Sequence, residues 1–198
     1  MVSRYQENPR MMHWKIVKRI LQYLKGIVDY SFCYQGKKLC LVGYSHVFWE
    51  GDLDERKSTS RYTILLNNGV NLWKSKKQTC ITLSTMEIEF TVCLVVILEV
   101  VWLKRFLLQS LGKVKDDLGP TTIYNDSQAV ITYVKDPKYH GKTKHIDTKN
   151  NFIRDIITQK EVILKYVPTH EMVVDPFVKS IIRNTFSIYV KSLGLRRL

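Results

Sequence analysis

The stretch TTIYNDSQAVITYV, Thr121 to Val134, is where residue types and order point most directly to a site. Thr121, Thr122, Ile123 and Tyr124 read as a short buried strand. Asp126, Ser127 and Gln128 then supply helix-start chemistry ahead of the apolar Ala129, Val130, Tyr133 and Val134. Asp126 therefore stands at the carboxyl end of a strand, where open α/β sheets gather their ligands. A carboxylate there either caps the helix or holds a metal ion. Glu89, taken alone, complements the dipole of the helix it opens, and Asp175 in VVDPF reads as a turn or cap residue. His140 and His145 are loosely spaced with no paired cysteines after them, so a structural role is favoured over zinc, with His145 and Asp147 orienting the nearby loop or helix. Lys74, Lys76 and Lys77 beside Trp73 suit a phosphate backbone, the plain alternative being a solvated strand end.

The elements that must position these residues follow from periodicity. Residues 12–25 place Trp14, Ile16, Val17, Ile20, Leu21 and Leu24 on one helical face, with Gly26 as a stop. From 28 to 83 the pattern is one of strands. Tyr30–Tyr34 and Leu39–Trp49 are joined by a Gln-Gly turn, Tyr62–Leu66 and Val70–Trp73 by Asn67-Asn68-Gly69, and Thr79–Leu83 could add a short piece. Three antiparallel strands are expected at the core of this region. Ser84-Thr85-Met86-Glu87 is a capping-box pattern opening a long, largely apolar helix to Leu111, ended by Gly112. After the Asp126 unit come a helix over Thr143–Thr158, a strand over Glu161–Val167, the Pro168-Thr169-His170 turn and a last basic helix over Phe186–Leu193. Two α–β units attached to a meander give an α/β fold, a mixed five-stranded sheet flanked by helices.

With 45% hydrophobic and 25% charged residues, the 198-residue chain can build a normal globular core. Its formal charge of +13 suits a polyanionic partner, nucleic acid ahead of a membrane surface. The four cysteines include no C-x-x-C pair, which speaks against a zinc ribbon or a disulfide scaffold and for reduced thiols in the cytoplasm or nucleus. The start, MVSRYQENPR, lacks the apolar core of a signal peptide, and the apolar run Phe90 to Leu98 is shorter than the roughly 20 residues a bilayer requires.

Several stretches together resemble the ribonuclease H-like segment that ends the Pol polyprotein of copia-type LTR retrotransposons, particularly plant ones. They are GYSHVFWEGD (43–52), RKSTSRYT (56–63), SKKQTCITLSTMEIEF (75–90), VWLKRFL (101–107), IYNDSQAVI (123–131), YHGKTKHID (139–147) and YVPTHEMVVDPFVK (166–179). The resemblance implies a ribonuclease H fold over residues 30–182. Residues 1–29 would be the linker after an upstream reverse transcriptase, and 183–198 a basic helix. It also implies cleavage of the RNA strand of RNA–DNA hybrids with two Mg²⁺ ions (or Mn²⁺) about 4 Å apart.

By the same resemblance, Glu89, Asp126 and Asp175 match three of the family's four metal-binding carboxylates, and His170 matches a histidine that assists turnover. The fourth does not carry over. Where the family has tyrosine, serine, aspartate, alanine, aspartate, tryptophan, this chain reads Tyr44-Ser45-His46-Val47-Phe48-Trp49, so His46 replaces the first-strand aspartate. Neutral imidazole brings no negative charge and is a poor Mg²⁺ ligand. Glu50 would lie about 13 Å along the strand from residue 46, out of reach. Arg61 stands where the family prefers glycine. The valines 92, 95, 96 and 100 replace small residues, and overpacking costs about 1–3 kcal/mol per site. The expectation is an impaired catalytic remnant. Weak Mn²⁺-favoured cleavage through His46, Glu89, Asp126 and Asp175 is one alternative, a non-catalytic nucleic-acid-binding or interaction module another, and a reading frame without function the last.

Overall fold

The computed structural model describes residues 5–36, 38–48, 58–77, 85–112, 118–135, 144–173 and 183–197. Strands β2 (Leu41–Phe48), β3 (Thr59–Leu66) and β4 (Gly69–Lys77) form an antiparallel meander. The two-residue turn between β3 and β4 is Asn67-Asn68, with φ of 48° and 63°. Asparagine tolerates this left-handed geometry, which matches the strand twist, so the local sequence selects the hairpin. β5 (Thr121–Asn125) joins β2 in parallel, and β6 (Val162–Tyr166) joins β5 in parallel. The sheet order is β4-β3-β2-β5-β6, the mixed five-stranded arrangement expected from the sequence.

Helix α2 (Thr85–Ser110) covers one face of the sheet, with α3 (Gln128–Lys135) and α4 (Lys144–Thr158) beside it. Its apolar first half is buried: Cys93, Val96, Ile97 and Val100 are all 0% exposed. The bulky valines are accommodated by β2. A Cβ on Gly43 would come within 3.1 Å of both Val96 and Ile123, so the missing side chain in the strand leaves room for the helix valines. Further along, Leu98, Trp102 and Phe106 form an exposed stripe in which the last two rings stack at 5.5 Å. Among the described residues no helix is long and apolar enough to cross a membrane.

Two expectations are corrected. Tyr30–Phe32 (β1) is a strand, but it does not pair with β2. It forms a separate antiparallel pair with β7 (Leu195–Arg197), closed by Arg197 Nη2 3.2 Å from Asp29 Oδ2. The basic helix expected over 183–198 therefore stops at Ser192 (α5, Arg183–Ser192), and Gly194, with φ +76°, turns the chain into β7. A Cβ on Gly194 would collide with the Asn68 carbonyl oxygen, so this segment is seated against the β3–β4 turn. Helix α1 (Met11–Gly26) forms as predicted, and none of its residues is buried. The capping box at Ser84 and the strand suggested over Thr79–Leu83 lie outside the described residues.

Candidate functional site

The site lies where the carboxyl ends of the parallel neighbours β2 and β5 meet. Register pairs Ser45 with Asn125, which brings the next residues, His46 and Asp126, side by side. Asn125, 2% exposed, is the hub. Its Nδ2 donates to Ser45 Oγ at 2.9 Å, and its Oδ1 accepts the Ser127 N–H at 2.7 Å. Ser127 Oγ in turn accepts the Val130 N–H at 3.4 Å, so Ser127 caps α3. That answers the choice left open for Asp126: the helix is capped by its neighbour, and its carboxylate points elsewhere.

Asp126 Oδ2 lies 2.8 Å from His46 Nδ1, with side-chain exposures of 11% and 8%. This is a close polar contact rather than an aligned hydrogen bond. The same oxygen accepts the Thr169 hydroxyl at 3.0 Å. Thr169 opens the 3₁₀ turn Thr169–Glu171 after β6 and was not singled out from sequence, where nothing marks a turn threonine as a carboxylate partner. Asn125 was also missed. Its signal was legible, since an asparagine two residues before a capping serine favours a side-chain turn.

The other candidates scatter. His170 is 80% exposed, its Nε2 3.5 Å from Glu171 Oε1. Glu89 is half-buried on α2, one residue after Ile88, which packs with Val92 on Val47 of β2. Among the described residues, no three of His, Cys, Asp and Glu form a group able to hold a metal ion. Asp175, Glu50 and His140 lie outside the described residues, as do the side chains of Phe48, Lys77, His145 and Asp147. Lys74 and Lys76 line a groove of about 220 Å³ with Ser60, Tyr62, Thr91 and Val95. They pair with Tyr62 and Ser60, so they face α2, on the opposite side of the sheet from His46. In that groove the Tyr62 hydroxyl donates to Glu99 Oε1 at 3.2 Å, and burial together with Glu99 pushes its pKa up to about 12. Behind the site, Tyr44 stacks on Tyr124 at 5.1 Å, and burial raises the Tyr44 pKa, with Tyr124 adding to the shift.

Over 194 residues, 98% of its length, the chain is 37% identical to the retrovirus-related Pol polyprotein from transposon TNT 1-94 of Nicotiana tabacum. The chain is similar, over nearly its whole length, to a segment of retrotransposon Pol polyproteins. The Pol polyprotein from transposon RE2 of Arabidopsis thaliana is 31% identical over 195 residues, again 98% of the chain. The chain spans only 14% and 13% of these two relatives' length. No family model matches it. Among solved structures, LC11-RNase H1 in complex with an RNA/DNA hybrid is 13% identical, with a TM-score of 0.46 and coverage of 74% of this chain and 99% of that one. The chain thus matches one segment of these polyproteins, built on the sheet order β4-β3-β2-β5-β6.

Such folds generally use Mg²⁺, a hard cation that asks for several oxygen ligands. Among the described donors here, Asp126 brings one carboxylate and His46 an imidazole in contact with it, and these two by themselves do not fit it.

Proposed function

We propose that this Pol domain engages nucleic acid, an RNA–DNA hybrid above all, through its basic surface and cleaves it poorly or not at all. One observation carries the reading. His46, at the strand position of the family's first catalytic aspartate, lies 2.8 Å from Asp126 Oδ2. Ribonuclease H chemistry places two divalent ions between carboxylates, one activating water and the other steadying the leaving oxygen. Here Glu89, Asp126 and Asp175 supply the acids that the family resemblance assigns, and His46 removes the one that would bridge them. His170, solvent-facing beside Thr169, is placed to assist turnover only if a substrate reaches it. The charge of +13 and the Lys74–Lys76 groove, with Lys77 next to it, support a polyanionic partner. An upstream reverse transcriptase is the protein partner this reading supplies, and the cytoplasm or nucleus the place of work.

The test is hybrid binding and cleavage by the full chain in Mg²⁺ and in Mn²⁺. The expected outcome is salt-dependent binding without product. The slope of log K against log salt should fall by about one for each of Lys74→Ala and Lys76→Ala. Efficient multiple-turnover cleavage in either metal that disappears in Glu89→Gln would overturn the proposal.

A further inference from the structure

We infer that α1 is an interfacial helix, which lays its apolar face on an anionic lipid surface and grips the headgroups with the cations opposite. Successive residues turn by about 100°. Trp14, Ile16, Val17, Ile20, Leu21 and Leu24 therefore fall within an arc of about 200°. His13 is the one strongly polar side chain in that arc, and Tyr5 stacks on it at 4.2 Å. Lys15, Lys18, Arg19 and Lys25 occupy the opposite arc of about 120°. No acid stands between residues 11 and 26.

None of the 16 residues of α1 is buried, and Trp14 and Leu21 are 51% and 56% exposed. A helix of this length gains little from propensity alone and is stabilised mainly by burying its apolar side. Its occupant must be apolar where the helix is apolar and negative where it is positive. A second copy fails on charge, because each chain already carries +13. Nucleic acid would meet the cationic arc and leave the apolar arc in water. A protein groove is fitted by a narrower row of anchors at i, i+3, i+4 and i+7.

An anionic lipid surface meets both demands at once: acyl chains take the apolar arc and headgroups take the lysines and the arginine. Trp14 closes the apolar arc on the side of Lys18, whose Nζ lies 5.8 Å from the ring centre. An indole at the border between apolar and charged arcs suits the headgroup layer. Positive charge continues past the helix, where Lys191 and Arg196 line a cleft with Tyr30. Lipid binding by α1 is independent of the chemistry at His46 and Asp126 and of whether the domain holds a hybrid.

The experiment is sedimentation of the full chain with vesicles of phosphatidylcholine alone or with about 30% phosphatidylserine. Binding to the anionic vesicles should be roughly tenfold stronger, and the excess should shrink as salt rises from about 0.05 to about 0.5 M. Two paired variants separate the arcs. Leu21→Gln/Leu24→Gln keeps every charge, and Lys18→Gln/Arg19→Gln keeps the apolar arc. Each should lose about tenfold in binding while melting at the native temperature, since none of the four residues is buried. Anionic binding that survives Leu21→Gln/Leu24→Gln unchanged would mean plain adhesion of a basic domain and overturns the inference. So does an absence of binding to anionic vesicles at low salt, which leaves an acid-rimmed protein groove as the occupant. Should a paired variant melt early, tryptophan quenching by brominated lipid decides. It should fall in Trp14→Phe, and equal quenching in that variant also overturns the inference. Because no nucleic acid is present, none of these failures bears on hybrid binding.

Discussion

Towards α2, strands β2 and β3 present Gly43, Ser45, Val47, Tyr62 and Ile64, and against them Val96, Ile97 and Val100 are wholly buried. On the opposite face the same strands present Val42, Tyr44, His46 and Arg61, covered by small clusters that draw on Val173 and Leu193, or on Val167 and Met172. The helix face is filled by large aliphatic side chains in a continuous core. At the other face an imidazole and a carboxylate meet across two strands, with a buried guanidinium on the third. Apolar packing depends on volume and pattern, so one glycine can offset two valines. A divalent-ion site depends on the number and sign of particular atoms, so one exchange of carboxylate for imidazole ends it.

The comparison is sharpened most by emptying the helix face. Ile97→Ala should cost about 4 kcal/mol and lower the melting temperature by roughly 10 °C, since Ile97 is 0% exposed among atoms that cannot collapse inward. A loss under about 1 kcal/mol would mean that this core is loosely packed. Next comes the chain end, whose Leu193 closes the other face. Gly194→Ala forces a side chain into φ +76° and against Asn68 O, and should cost about 2 kcal/mol. Hydrogen exchange should then rise first at Cys33 N, which donates to Gly194 O at 2.8 Å. Unchanged protection there would show that the β1–β7 pair does not depend on this seat.

Alkaline titration gives the smallest effect. Burial lifts the Cys93 thiol from 9.0 to about 12, and Tyr62 rises from 10.0 to about 12. Both folded values exceed the unfolded ones, so their contribution is complete below about pH 9 and is lost as pH climbs towards about 12. Denaturant midpoints should therefore begin to fall near pH 9, and in Cys93→Ala the fall should begin nearer pH 10, leaving the Tyr62 share. A native curve flat to pH 11 would contradict the burial of both groups.

Legibility followed the range of the interactions. The Asn67-Asn68 turn, the long helix ending before Gly112 and the strand–helix unit around Asp126 were all readable, because each is written in neighbouring residues. The strand over Tyr30–Phe32 was readable too, but its partner was not. β propensity describes one strand, and β1 pairs with residues 165 positions or so away, Leu195–Arg197. The site divided in the same way. His46 as a departure, and Asp126 as an acid at a strand end, could be seen in the sequence. Ser127 was legible as one of three helix-start residues, but Thr169 as the partner of Asp126 was not.

By itself, then, the sequence determined the order of most elements, the mixed sheet they build and the resemblance to Pol polyproteins. These rest on local periodicity, turn chemistry and residue identity. Only the tertiary structure decided that His46 reaches Asp126, that Arg61 is buried opposite His46, and that the basic groove opens on the other side of the sheet. Those outcomes depend on strand register and on which face each side chain takes. A shift of one residue in register would reverse every one of them.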